Sequence, residues 1–199
     1  MSNRGVSLFP AAMAAVCLGW AVHVHAADIG KPVMLVAKPE LKGSLFESSI
    51  LLVRPIGGGG HIGFIVNKPT KATLGQLFPE HGPSRKADLP VYLGGPQQIN
   101  LVFALVERHG GAQADAMQIT PELFLAVQET AIDRIIEKES DHARFFVGMV
   151  SWAPGELDEE LARGYWFETE PETKLLLRKK TDGLWDELRR REEDRDHSV

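Results

Sequence analysis

The chain has 199 residues, with 22 basic and 27 acidic side chains and a formal charge of −5. That length suits one domain of ordinary size with a core of its own. The acidic balance disfavours a nucleic-acid backbone as partner, since the basic residues are not sorted onto one stretch, and the single cysteine, Cys17, excludes an intrachain disulfide framework.

Residues 1–26 read as a signal peptide. Arg4 and the α-amino group form a short positive start, and an apolar run of roughly 17 residues follows from Val6 to Val22. Val24 and Ala26 put small residues where a signal peptidase needs them, so cleavage is expected after Ala26. An exported, periplasmic protein follows, with residues 27–199 as its one domain. The alternative is an uncleaved inner-membrane anchor, because such a run reaches the lower limit for a span. A buried first helix fits poorly with Pro10 and the uniform apolarity. Val16 and Ala14 do not suit lipidation at Cys17. Cleavage removes one basic residue and no acid, which moves the charge to −6 and leaves no thiol.

Val33 to Ala37 and Ser49 to Val53 are expected strands, the second closed by Pro55. Gly57 to Gly60 then makes a hairpin tip, and Ile62 to Val66 returns as a third strand before Asn67-Lys68-Pro69. Thr73 to Phe78 suits a short helix, and His81 to Asp88 a polar loop. Val91 to Leu93 is a short strand before the Gly94-Gly95-Pro96 turn, and Leu101 to Val106 is a longer one ending at Gly110-Gly111. Thr120-Pro121-Glu122 has the form of a helix start, and Leu123, Phe124, Val127, Ile132, Ile135 and Ile136 continue it as one apolar stripe. Phe145 to Val150 is expected as a central strand and Pro154 to Arg163 as a helix stopped by Gly164. Tyr165 to Phe167 and Leu175 to Leu177 read as strands. Thr181 suits the cap of a last helix whose Leu184, Trp185 and Leu188 face inward, with a fraying charged tail from about residue 189.

Motifs for chemistry are weak. Gly58-x-Gly60-x-x-Gly63 matches a dinucleotide fingerprint by letter, but a strand and Pro69 follow where the mechanism needs a helix N-terminus. A flexible hairpin tip accounts for it better. His61, His81, His109, His142 and His197 hold no local metal-ligand spacing, although Asp141-His142 or Glu107 with His109 would suit a metal if the fold joined them to others. Serine motifs for nucleophilic catalysis are absent, and Ser151 reads as a helix cap. Glu156, Asp158, Glu159 and Glu160 begin a helix, where the dipole favours carboxylates, and a catalytic carboxylate pair among them is not distinguished from that reading.

Three segments together carry a resemblance. They are Gly63-Phe64-Ile65-Val66-Asn67-Lys68-Pro69, Val91-Tyr92-Leu93-Gly94-Gly95-Pro96-Gln97, and Gly148-Met149-Val150-Ser151-Trp152-Ala153-Pro154-Gly155-Glu156-Leu157-Asp158-Glu159-Glu160-Leu161 followed by Trp166. In this order and spacing the chain resembles the YqgE/AlgH family of bacterial proteins over roughly Val33 to Leu188. The resemblance implies an α+β domain in which a bent mixed β-sheet forms a pseudo-barrel with helices packed outside. Members are often described as transcriptional regulators, with no reaction established. This chain departs from the pattern at Glu156, where Gln is usual, and after Pro96, where Gln97-Gln98-Ile99-Asn100-Leu101-Val102-Phe103 replaces a charged run.

The shared residues also have a physical reading. Asn67 can cap a strand end, Gly94 and Gly95 supply backbone torsions or a close approach that a Cβ would forbid, and Trp152 and Trp166 can pack over the helix that begins near Pro154. Asn67, Lys68, Gly94, Gly95, Pro96, Trp152, Gly155 and Glu156 are the candidate binding residues. No catalytic residue, metal or cofactor is expected. The leading expectation is a non-enzymatic exported module that binds a protein or small molecule near Gly94–Pro96 and Trp152–Glu156. Membrane contact is expected only through an uncleaved N-terminal segment. The alternatives are a transcriptional regulator and a hydrolase using loop carboxylates or histidines.

Overall fold

The computed structural model describes residues 31–87, 89–108 and 116–198. The expected export segment, Gly110-Gly111 and His109 lie outside the described residues. Ten strands and six α-helices among the described residues form one α+β domain. The chain runs through β1 (Val33–Ala37), β2 (Ile50–Pro55), β3 (His61–Ile65), β4 (Pro69–Thr73), α1 (Leu74–Leu77), α2 (Gly82–Ala87), β5 (Pro90–Leu93) and β6 (Gln97–Glu107). It continues through β7 (Ala116–Gln118), β8 (Leu123–Ala126), α3 (Glu129–Lys138), β9 (Ala143–Trp152), α4 (Glu156–Ala162), β10 (Trp166–Thr169), α5 (Thr173–Leu176) and α6 (Leu184–Asp196).

The strands form one curled sheet, a half-barrel, in the order β10-β1-β2-β3-β9-β6-β8-β7. β9 is the hub. Its second half pairs with β3 through Gly63↔Val150 and its first half with β6 through Phe103↔Phe146. β5 adds alongside β9 in the sheet's one parallel pairing, Val91↔Phe145, and carries β4. The β2–β3 hairpin turns through Gly57–Gly59, with Gly58 at φ +82°.

Both faces of the sheet are covered, so the strands read as unbroken apolar runs rather than alternating ones. In β1, Met34 and Val36 enter a core with Phe64, Phe103 and Phe146 that α5 and α6 close through Leu176, Leu184 and Leu188. Leu35 and Ala37 point the other way, into a cluster with Trp152, Trp166 and Leu157 of α4. A third cluster joins Phe145 and Phe124 to Ala131, Ile132, Ile135 and Ile136 of α3. Trp185 Nε1 donates to the Ala37 carbonyl at 2.8 Å and fastens α6 to β1.

Several elements differ from the sequence expectation. Leu123–Ala126 is a strand. Leu123 and Leu125 enter the first core while Phe124 and Ala126 enter the third, so a strand buried on both faces looks like a helical stripe. Thr120 caps a turn instead, its Oγ1 accepting from the Leu123 N–H at 3.1 Å. The helix starts only at Glu129. Residues 82–87 are helical rather than a loop, with the buried Ser84 hydroxyl 2.7 Å from His81 Nδ1. Thr173–Leu176 is one helical turn rather than a strand, with only Leu176 fully buried in the core. Ser151 is a strand residue opposite Ile62, and Gly155 caps α4. Gly183 rather than Thr181 caps α6. The expected tail from residue 189 stays helical to Asp196, tied by Arg189–Glu193, Arg191–Glu172 and Arg195–Glu192 ion pairs.

Candidate functional site

Asn67 follows β3 and clamps β2. Its Oδ1 accepts from the Ile50 N–H at 2.8 Å, and its Nδ2 donates to the Ser48 carbonyl at 2.9 Å. It thus holds the strand entry at Ser48, which has φ +55°. Half-buried Lys68 donates through Nζ to the Leu45 carbonyl at 2.7 Å. Burial holds its ammonium below the usual range, partly offset by the Glu47 carboxylate.

Gly94 and Gly95 lie against β9. A Cβ on Gly94 would stand 2.2 Å from the Gly148 carbonyl oxygen, and one on Gly95 would stand 2.3 Å from the Met149 carbonyl. Gly148 answers them with φ +71°. Three glycines therefore bring two backbones closer than any side chain permits. The Gly94 N–H donates to Val147 O and its carbonyl accepts from Ile65 N–H, both at 2.8 Å. Pro96 is exposed beyond this crossing.

Trp152 sits at the far end of β9 opposite His61, covering Gly63, where a Cβ would meet its ring at 2.8 Å. Gly155, at φ +83°, turns the chain into α4. The Glu156 carboxylate accepts from the Ala153 N–H at 2.9 Å. The eight candidate residues therefore form two groups. Asn67 to Pro96 cluster beyond the Ile65 end of β3, and Trp152 to Glu156 gather beyond its His61 end.

The crossing has a consequence for the surface. Gln97 pairs with Met149 and Val102 with Val147, so residues 98–101 of β6 face the single residue Gly148 of β9. The excess chain is pushed outward as a bulge, with Gln98 at φ +53°. Ile99 and Leu101 on that bulge are 62% and 50% exposed. They line a groove of about 690 Å³ with Leu77 and Phe78 of the α1 end, and with Val127 and Ile132 on the α3 side. Six large apolar side chains are exposed among the described residues, and four of them, Leu77, Ile99, Leu101 and Val127, line this groove. Glu129 and Asp133 stand on its α3 wall, and His81 on the opposite wall is 4.0 Å from Glu137. Among the described residues no lysine or arginine lines it.

Sequence reasoning missed this groove, because an exposed Ile or Leu reads like a strand residue until the bulge turns it outward. Among the described residues no three His, Asp or Glu side chains converge as a metal site.

Residues 34–195 match the AlgH-like family, DUF179. The chain belongs to this AlgH-like family. A UPF0301 protein of Methylococcus capsulatus is 32% identical over 168 residues, covering 82% of this chain and 90% of that one. A UPF0301 protein of Myxococcus xanthus is 29% identical over 158 residues, covering 78% and 86%. The solution structure of AlgH from Pseudomonas aeruginosa superposes with a TM-score of 0.64 at 19% identity, over 77% of this chain and 84% of that one. The crystal structure of protein DIP2367 from Corynebacterium diphtheriae gives 0.67 at 20% identity, over 81% and 86%. Both solved structures share the fold.

Proposed function

We propose that this AlgH-like protein is an exported, non-enzymatic interaction module whose groove between the β6 bulge, α1 and α3 binds an apolar segment of a partner protein. The convergence of Leu77, Ile99, Leu101 and Val127 carries this reading. Four exposed aliphatic side chains in one concavity are hydrated in the free protein, and a partner's apolar side chains would bury them and release that water. Glu129 and Asp133 on the wall, with no lysine or arginine among the described residues lining it, favour a segment that also bears Lys or Arg. The Gly94–Pro96 turn belongs to this site indirectly, since the glycine crossing creates the bulge.

Export rests on the composition of residues 1–26, and N-terminal sequencing of the fractionated protein tests it: Ala27 is expected as the first residue. Groove binding is tested by selecting peptides from a display library on the full chain. Enriched peptides are expected to combine apolar anchors with Lys or Arg and to lose binding to Ile99→Asp. Peptides that bind that variant equally well would remove the groove from the reading. Salt-dependent binding of duplex DNA would favour the regulator description instead.

A further inference from the structure

A second cavity, of about 210 Å³, shares no lining residue with the groove. Tyr92, Glu107, Asp141, Arg144, Leu177 and Lys179 are among its walls. Arg144 is the unusual member. It lies on β9 opposite Leu105 and is only 4% exposed. Its Nη1 donates to the Val66 carbonyl and its Nη2 to the Arg178 carbonyl, and the guanidinium lies 4.3 Å from the Tyr92 ring centroid.

These contacts orient the guanidinium without neutralising it. A guanidinium carries five N–H donors, and two carbonyls use two of them. No carboxylate among the described residues bonds to it. Arg108, also buried, is paired by contrast: Glu139 takes it with both oxygens, at 2.7 and 2.9 Å. Desolvating a guanidinium that no described carboxylate bonds to is costly, so Arg144 is suited to receive an anion. Burial pushes its guanidinium below the usual range, only partly offset by Tyr92.

We propose that this cavity binds the carboxylate of a small organic acid, with the unused N–H groups of Arg144 as its receptor. A planar carboxylate matches the guanidinium fork. Lys179 adds a second positive charge at the rim, and Leu177 and Tyr92 give an apolar wall for a short carbon chain. Glu107 and Asp141 line the same space and repel a phosphate dianion more strongly than a monocarboxylate.

Amide chemical-shift titration of the full chain with butyrate, neutral butyramide and inorganic phosphate, at constant ionic strength, tests this. Butyrate is expected to give saturable shifts clustered at residues 140–144 and 177–179, with butyramide weaker by about tenfold or more. Arg144→Lys keeps the charge and loses the fork, so its butyrate affinity is expected to fall about tenfold. Should that variant fail to fold, Lys179→Gln on the exposed rim is expected to weaken butyrate severalfold. Equal responses to butyrate and butyramide, shifts scattered over the surface, unchanged affinity in folded Arg144→Lys, or tighter phosphate binding at these residues would each overturn the proposal.

Discussion

At Gly95 a Cβ would stand 2.3 Å from the Met149 carbonyl, inside the glycine crossing. Backbone on a central strand cannot step aside as a flexible side chain can. Gly95→Ala is therefore expected to cost about 3 kcal/mol or more, lowering Tm by roughly 6–12 °C. Gly57 in the hairpin tip has open space around it and no positive φ. Gly57→Ala is expected to be neutral or to stabilise by up to about 1 kcal/mol. Thermal unfolding of the pair separates the two glycines, and equal losses would contradict the crossing. Lys68 makes a second residue-level prediction. Its folded-state pKa lies below the ordinary 10.5, so the unfolded chain binds more protons in the window between them. Stability gains a small increment as pH rises through that window, and Lys68→Met is expected to lose that increment. A wild-type and variant pair with the same alkaline slope would contradict the desolvation of Lys68. The roles of Asn67, Gly94 and Gly95 were legible in the sequence because short-range chemistry limits what an amide or a glycine does there. Arg144 was not, since a basic residue inside an apolar run does not reveal which carbonyls surround it.

Elements were legible where one periodicity dominated. β1, β2, β3 and β9 announce themselves as apolar runs between turn residues, and α4 by Leu157 and Leu161 ahead of Gly164. β8 was hidden because Leu123 to Ala126 is buried on both faces and runs toward the truly helical Ile132, Ile135 and Ile136. The end of α6 was hidden because its alternating charges resemble a solvated tail. In the fold, Glu192 is fully buried, with Arg191 at 3.1 Å and Arg195 at 2.5 Å. Glu192→Ala is expected to cost about 1–3 kcal/mol by leaving these contacts unmade. Asp194→Ala, on the exposed side, is expected to stay within about 0.5 kcal/mol. Chemical denaturation of the two variants checks this, and equal midpoints would return residues 189–198 to a frayed tail.

At the scale of the molecule, the curled sheet places β9 against β3, β5 and β6 at once, so a local constraint on β9 is felt at the surface. Gly148 admits the Gly94–Gly95 crossing, the crossing shifts the β6 register, and the shift exposes Ile99 and Leu101 beside α3. The half-barrel followed from the family resemblance. The groove did not, because it depends on a register shift that no strand pattern displays. Leu101→Asp is expected to leave Tm within a few degrees while weakening partner binding, since the side chain is already half exposed. The most direct measurement is the affinity of a basic, apolar peptide for the wild-type chain, for Leu101→Asp and for Glu129→Gln/Asp133→Asn, each at low and high salt. The groove reading predicts binding that falls about tenfold or more in Leu101→Asp and loses much of its salt dependence in the acid-neutralised variant. Affinity that is the same in all three proteins would contradict it.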